Sequence, residues 1–182
     1  MDEDKLIEQA KTGDTNCFSQ LVILHQDRLY QYLLARCNNS FDARDVLQET
    51  FINAFKYLNS YQSKWKFKTW LFTIATRLIS KQNKLYNYRS EPLIIEETSE
   101  IEEIIINKNN IWNKIQCIIK KEAFDVLWFH YVEELSTKEI SKIMQKTQAW
   151  VKITLFRSKK TLAKNEDIVE LSKHYFMLGI IL

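Results

Sequence analysis

The sequence predicts an all-α protein, built from two small helical domains on a flexible acidic linker, with a helix-turn-helix in the second domain. The 182 residues include only two glycines and one proline, too few for the tight turns of a β-sandwich or a doubly wound sheet. Apolar residues recur at helical spacing on both sides of a Glu-rich segment. The predicted boundaries are residues 1–89, a linker at 90–110, a second domain at 111–165 and an apolar extension at 166–182.

Composition excludes several classes of protein. The formal net charge is only +3, so any nucleic-acid signal lies in the distribution of charge. The cysteines are Cys17, Cys37 and Cys117, and this wide spacing without a C-x-x-C pair disfavours a disulfide framework or a zinc ribbon. The scattered histidines and the absence of a catalytic motif predict neither an enzyme, nor a metal site, nor a cofactor.

The chain also lacks the marks of a secreted or membrane protein. The start of the chain is acidic, unlike a signal peptide. No apolar run reaches the ~20 residues needed to span a bilayer. We therefore expect a cytoplasmic protein without membrane insertion.

Four helices are predicted in the first half. The first ends near Gly13, the second near Arg36, the third begins near Asp42, and the fourth covers about residues 69–86. The third helix turns Val46, Phe51 and Phe55 to one side. Its other side carries carboxylates and amides at i, i+3, i+4 and i+8 positions; these are Asp45, Gln48, Glu49 and Asn53. Such a strip suits a partner helix bearing arginines, although a solvated face without a partner has the same pattern.

Residues 59–90 contain seven basic side chains and no acidic one, with aromatic rings between them. Cations attract phosphate, and rings offer a surface for an unstacked base. The segment therefore fits a nucleic-acid surface, or else a solvated lysine-rich helix with core aromatics. Its cations are Lys64, Lys66, Lys68, Arg77, Lys81, Lys84 and Arg89, and the rings free to stack are Tyr61 and Trp65.

The second half predicts a helix-turn-helix. Ser136 and Glu139 form a capping-box pattern, residues 145–147 make a short break, and Thr147 is a candidate N-cap for the next helix. Residues 138–164 hold eight basic side chains and one acidic one. This arrangement is typical of a DNA-binding unit, and an ordinary helical hairpin with a lysine-rich face remains the alternative.

Four segments in this order resemble one family. They are DARDVLQETF (42–51), FKTWLFTIA (67–75), ELSTKEISKIM (134–144) and VKITLFRSKKTL (151–162). Together they are similar to the extracytoplasmic-function group of bacterial RNA polymerase sigma factors. The resemblance implies a first domain that binds core polymerase and opens the promoter, and a second domain that reads the upstream promoter element. A free-standing helix-turn-helix regulator that acts without polymerase is the alternative.

The resemblance also assigns partners and site residues. The implied partners are core RNA polymerase (the clamp coiled coil of the largest subunit, and the flap), promoter DNA and an anti-sigma factor. The residues implied to bind the clamp are Asp45, Gln48, Glu49 and Asn53. Those implied to hold the downstream element as single-stranded DNA are Tyr61, Lys64, Trp65, Lys66, Lys68, Arg77 and Lys81. Those implied to bind the upstream element are Lys146, Gln148, Trp150, Lys152, Ile153, Arg157 and Lys160.

Several positions depart from the family pattern. Arg77 replaces a frequent asparagine, Ser63 a loop glycine, and Lys146 the usual glycine of the turn. Ala149 and Trp150 stand for a glycine-threonine pair, and Thr154 for an arginine. The departures at Lys146, Ala149, Trp150 and Thr154 lead us to expect an unusual or weak choice of upstream element. The apolar C-terminal extension has no counterpart in the short form of the family, and we expect it to pack on the second domain.

Overall fold

All the regular secondary structure is helical in the part that the computed structural model describes, which is residues 2–37, 39–88 and 110–174. The chain divides into two compact units, Met1–Ile95 and Glu96–Leu182. The predicted all-α class is therefore confirmed. The predicted linker lies outside the described residues, except for Asn110, where the first helix of the second unit begins.

The first unit contains four α-helices and one short 3₁₀ turn. They are α1 (Glu3–Lys11), α2 (Thr15–Arg36), α3 (Ser40–Lys56), the turn Leu58–Ser60, and α4 (Phe67–Tyr88). Side chains fix where α2 and α3 begin. Asp14 Oδ1 accepts from the backbone N–H of Asn16 at 2.9 Å, and Asn39 Oδ1 accepts from that of Asp42 at 2.8 Å. The cap at Asn39 explains why α3 begins two residues before the predicted start.

The long helix α2 is the centre of the first unit and packs against α1, α3 and α4. Leu21, Tyr32 and Leu33 on this helix are fully buried. The Tyr32 ring meets Phe72 of α4 edge to face, with ring centroids 5.5 Å apart. Burial of one face of α3 against α2 and α4 leaves the opposite face of α3 in solvent, as amphipathic packing requires.

The second unit contains five helices among the residues described. They are α5 (Asn110–Ile118), α6 (Lys121–Tyr131), α7 (Thr137–Met144), α8 (Gln148–Leu162) and α9 (Glu166–His174). Its core is an aromatic cluster in which Trp112 lies 5.0 Å from Trp128 and 5.6 Å from Phe124, between ring centroids. α8 packs on α6 and α7, so the helix-turn-helix rests on this cluster.

Helix α9 is the described part of the C-terminal extension, and it packs on α5. Ile168 is completely buried, and Lys114 Nζ lies 3.3 Å from Asp167 Oδ2. The apolar residues 175–182 fall outside the described residues. Over residues 2–37, 39–88 and 110–174, no helix combines the length and the hydropathy needed to cross a bilayer.

Candidate partner-binding and nucleic-acid interfaces

The carboxylate and amide strip lies on the outer face of α3. Asp45, Gln48 and Glu49 are exposed and Asn53 is half-buried. The opposite face of the same helix is fixed in the core, where Ala54 has no exposed surface. The strip can therefore meet a partner without any rearrangement of the unit.

An apolar groove runs beside the strip, between α2 and α3, with a volume of about 500 Å³. Phe18 and Val22 line it from α2, and Phe51 and Phe55 line it from α3, with Gln48 at its edge. Phe55 lies on the apolar side of α3, as predicted, but it is 45% exposed. Its ring contacts that of Phe18 at a centroid distance of 4.9 Å. The groove was not predicted from the sequence, although each helix carries apolar residues at i and i+4: Phe18 and Val22 on α2, Phe51 and Phe55 on α3.

Tyr61 does not offer a ring for stacking, so that prediction is wrong. Its side chain is only 6% exposed. The ring packs on Phe67 at 5.4 Å and on Trp70 at 5.5 Å, between centroids. The hydroxyl donates to the backbone carbonyl oxygen of Trp65 at 2.6 Å. Tyr61 therefore anchors the loop before α4 to the core. Burial of its ring is favourable because the hydroxyl keeps a hydrogen-bond partner there.

Burial also changes the acidity of Tyr61. Loss of hydration raises the pKa of its phenol from 10.0 to about 12, and the carboxylates of Glu3 and Asp4 add to the shift. The hydroxyl therefore stays protonated, and able to donate, in alkaline solution where a solvated phenol with a pKa of 10.0 would ionise.

The remaining predicted residues of the single-strand surface are accessible. Lys64 and Lys66 are exposed, and Trp65 and Lys68 are half-buried. On α4, Arg77 and Lys81 are exposed one turn apart. Lys84 and Arg89 are outside the described side chains. The predicted surface therefore still contains Trp65 and the cations around it, although Tyr61 is not part of it.

Trp70 is a further candidate for this surface, outside the residues predicted from the sequence. Its side chain is half-buried. It precedes Arg77 by seven residues and Lys81 by eleven, which places all three on one face of α4. Helical spacing alone was the signal that could have identified it.

The helix-turn-helix has the predicted caps. Ser136 Oγ accepts from the backbone N–H of Glu139 at 3.3 Å, and Glu139 Oε2 accepts from that of Ser136 at 2.9 Å. Thr147 Oγ1 accepts from the backbone N–H of Trp150 at 3.1 Å. Both ends of the turn are therefore fixed by side chains, as the sequence predicted.

The left-handed position of the turn is Gln145, not Lys146. Gln145 has φ of 54° and ends α7, with its backbone N–H bonded to carbonyls of that helix. Glycine is the residue best suited to this conformation. The interpretation that Lys146 replaces the usual turn glycine is therefore wrong by one residue. Lys146 instead places its Nζ 5.5 Å from the ring centroid of Trp150.

Helix α8 has one buried and one exposed face. Val151, Leu155, Ser158 and Leu162 are buried. None of the predicted upstream-element residues is buried. Trp150 is half-buried, and the exposed ones are Lys146, Gln148, Lys152, Ile153, Arg157 and Lys160. The outer face of α8 therefore combines cations with apolar side chains and no acidic residue.

The described histidines make structural contacts. His25 Nε2 meets a carboxylate oxygen of Glu3 on α1, and His130 Nδ1 lies 3.4 Å from the carbonyl oxygen of Leu135. Within the described ranges, no three or more His, Cys, Asp or Glu side chains cluster as a metal site. These contacts hold helices and loops in place.

Two family models match the chain. Sigma-70 region 2 matches residues 21–84, which include the α3 strip, the loop after it and most of α4. Sigma-70, region 4 matches residues 120–162, which include the helix-turn-helix. The two surfaces described above thus lie in the two domains that define a sigma factor, the subunit that directs RNA polymerase to promoters.

Whole-chain similarity narrows the class. The ECF RNA polymerase sigma factor SigW of Bacillus subtilis (strain 168) is 30% identical over 177 residues, covering 88% of this chain and 94% of that protein. The RNA polymerase sigma-H factor of Pseudomonas aeruginosa is 24% identical over 180 residues, covering 89% and 92%. The chain belongs to the extracytoplasmic-function family of RNA polymerase sigma factors.

Solved structures share the fold. CnrH, determined in complex with the cytosolic domain of CnrY, aligns with a TM-score of 0.67 at 20% identity, covering 96% of this chain and 99% of that one. The sigma factor RpoE from Bartonella quintana, in complex with the anti-sigma factor NepR, aligns with a TM-score of 0.67 at 16% identity, covering 84% and 96%.

Proposed function

We propose that the α3 strip binds the clamp coiled coil of bacterial core RNA polymerase. Through this contact the bound protein would determine which promoters the polymerase recognises. One observation carries the proposal. Asp45, Gln48 and Glu49 are exposed together on a helix whose opposite face is fixed in the core. A rigid strip of carboxylates and amides loses little entropy on docking, and arginines of a partner helix pair with it strongly.

The loop after α3 and the outer face of α4 are proposed to hold the non-template strand of the opened promoter. A base can be captured only after it leaves the duplex, and stacking on an aromatic ring returns ~1–3 kcal/mol of the free energy lost. Because Tyr61 is buried, Trp65 and Trp70 are the rings we assign to stacking. Arg77 and Lys81 would hold the phosphates beside them.

The second unit is proposed to read the upstream element with α8 in the major groove and to contact the polymerase flap. Cations on the outer face of this helix supply phosphate contacts that fix its register. We divide the chain by role into residues 1–89 for core binding and promoter opening, 90–110 as linker, 111–165 for upstream recognition, and 166–182 as an extension.

Regulation and location follow from these partners. RpoE has been solved with the anti-sigma factor NepR, and we infer that an anti-sigma factor also controls this chain. Core polymerase and the chromosome occupy the cytoplasm of a bacterium, so we place the protein there. The catalysis belongs to the polymerase, and we assign none to this chain.

The experiment reverses the charge of the strip with Asp45→Lys and Glu49→Lys together. Both positions are exposed on a helix and lysine is a good helix former, so the fold should be unaffected. Lysines facing the arginines of the partner helix would repel them, and binding to core polymerase should weaken by about 30-fold or more, since losses of 2–5 kcal/mol are usual when a buried charge pair is broken. Titration on a native gel and promoter-specific transcription measure the two effects.

The control carries the same change of net charge at other exposed acids. Asp27→Lys with Glu170→Lys adds equal positive charge on α2 and α9, so a loss seen only with the strip variant separates a local contact from general electrostatics. Normal assembly of the strip variant with core polymerase would refute the proposed docking face.

A further inference from the structure

The recognition helix carries an apolar stripe on the side that faces away from the core. Ala149, Ile153 and Phe156 follow one another at i, i+4 and i+7 along α8, so they line one face of the helix. Ile153 is 49% exposed and Phe156 is 68% exposed. Leu155, on the other side of the same helix, is buried. The stripe therefore contributes nothing to the core and needs another explanation.

Charge around the stripe identifies its partner as duplex DNA. Lys152 and Arg157 are exposed on either side of it, Lys160 is exposed one turn beyond Phe156, and α8 contains no acidic residue. Cations placed on both sides of an apolar strip match the two phosphate backbones that border a groove. The middle of such a face meets the edges of the bases.

Isoleucine and phenylalanine side chains neither donate nor accept hydrogen bonds, so they cannot read the polar pattern of a base pair. The major groove has one apolar feature of its own, the 5-methyl group of thymine. Contact between this methyl and an aliphatic side chain removes both from water and is favourable. Cytosine and uracil lack the methyl at the same position.

We propose that Ile153, with Phe156 one turn further on, is a specificity-determining residue that selects thymine by its 5-methyl group in the upstream promoter element. This inference rests on the proposed function of α8 and adds the chemistry of its readout. It also accounts for a sigma factor that lacks an arginine at position 154, since methyl contacts replace part of the hydrogen-bonded readout.

The test replaces thymine by deoxyuridine, which pairs identically with adenine and lacks only the methyl. Holoenzyme made from bacterial core polymerase and the full chain first selects its strongest upstream element from a randomised duplex library. Each thymine of that element is then changed singly to deoxyuridine, and binding of the holoenzyme is titrated. At one thymine position or more, the affinity of the holoenzyme for the duplex should fall about fourfold, the value expected for loss of one buried methyl or methylene group.

Two variants assign the effect to Ile153. Ile153→Val keeps branched methyl groups and should retain a ratio between thymine and deoxyuridine of about twofold or more. Ile153→Ser removes them and should bind both duplexes equally at that position. Valine and serine have similar helix propensities, so neither change should affect the exposed helix, and equal circular dichroism of the two variants checks this.

The possible results separate the inference from the proposed function. Specific binding that is unchanged by every deoxyuridine overturns methyl readout. A thymine preference that survives Ile153→Ser overturns the assignment of that readout to Ile153. In both cases the sigma-factor function stands. Failure of the holoenzyme to select any duplex refutes upstream recognition by α8, and the methyl readout with it.

Discussion

Tyr61 is held by one hydrogen bond and by burial of its ring. Its hydroxyl donates to the Trp65 carbonyl oxygen at 2.6 Å, across the loop that we assign to the captured base. The ring packs on Phe67, so loop and core are joined through one side chain. Removing either contact of Tyr61 should therefore lower the free energy of unfolding and loosen the backbone at Trp65.

Replacing Tyr61 by Phe should remove the hydrogen bond and keep the ring. At neutral pH we expect a loss of about 1–2 kcal/mol in the free energy of unfolding, because a partly buried carbonyl oxygen loses its donor. The native pKa of Tyr61 is raised to about 12 from 10.0. Its stabilising contribution is therefore fully present below pH 10 and is lost as pH rises through 12. Urea unfolding at several pH values should show the difference between wild type and Tyr61→Phe shrinking over this interval.

A stability difference that stays constant from pH 9 to pH 12 would show that burial does not shift the titration of Tyr61. Promoter opening by Tyr61→Phe at neutral pH should remain close to wild type, because the ring does not face solvent.

Side-chain environment is the part of the site that the sequence predicts least well. The cations near the loop and on α8 lie at the surface as expected, because charge alone opposes burial. Tyr61 shows the limit of this reasoning, because its ring is buried. A tyrosine in a basic segment is chemically suited to stacking, and the contacts from Phe67 and Trp70 that bury it are not visible in its own spacing.

At the scale of the helix, periodicity predicts which face is buried and leaves the ends uncertain by one or two residues. α3 presents its strip as predicted, since the alternation of Val46 and Ala54 with Asp45 and Glu49 fits only one rotation of the helix. The starts of α3 and α4 differ from the predicted ones because Asn39, and the loop up to Phe67, set them locally. The turn at Gln145 was misplaced by one residue for the same reason.

Replacing Gln145 by Gly should stabilise the second unit. Gln145 has φ of 54°, where a side chain is strained and glycine is not. Relief of about 1–2 kcal/mol of backbone strain, less about 0.4–1 kcal/mol for the extra freedom that glycine gives the unfolded chain, should leave a net gain of about 0.5–1 kcal/mol. Lys146→Gly is the matched control, because Lys146 has no positive φ, and glycine there should be neutral or destabilising. Chemical denaturation followed by tryptophan fluorescence measures both variants.

Equal effects of the two glycine substitutions would place the left-handed residue elsewhere. Stabilisation by Gln145→Gly should leave upstream-element binding unchanged, since the caps at Ser136 and Thr147 that orient α7 and α8 remain in place.

For the whole molecule, the distribution of charge matters more than its sum. The formal net charge of +3 conceals an acidic strip on α3 and a basic outer face on α8. A protein that must bind both a polymerase and a polyanion needs surfaces of both kinds, and opposite signs also keep each surface from binding the other's partner. Charge blocks and helical spacing predicted this division, because most charged side chains remain exposed to water whatever the fold.

Neutralising cations on α8 should change the salt dependence of promoter binding, whereas changing the apolar stripe should not. Each phosphate contact releases counterions and contributes about 0.9 to the slope of log K against log salt. Lys152→Gln with Lys160→Gln should therefore lower the slope for holoenzyme and upstream element by about 1–2, with core binding intact. Ile153→Ser should weaken thymine-dependent binding at an unchanged slope, because a methyl contact releases no ions. Fluorescence anisotropy across a salt series measures both slopes, and a slope unaffected by loss of both lysines would remove α8 from the phosphate-contacting surface.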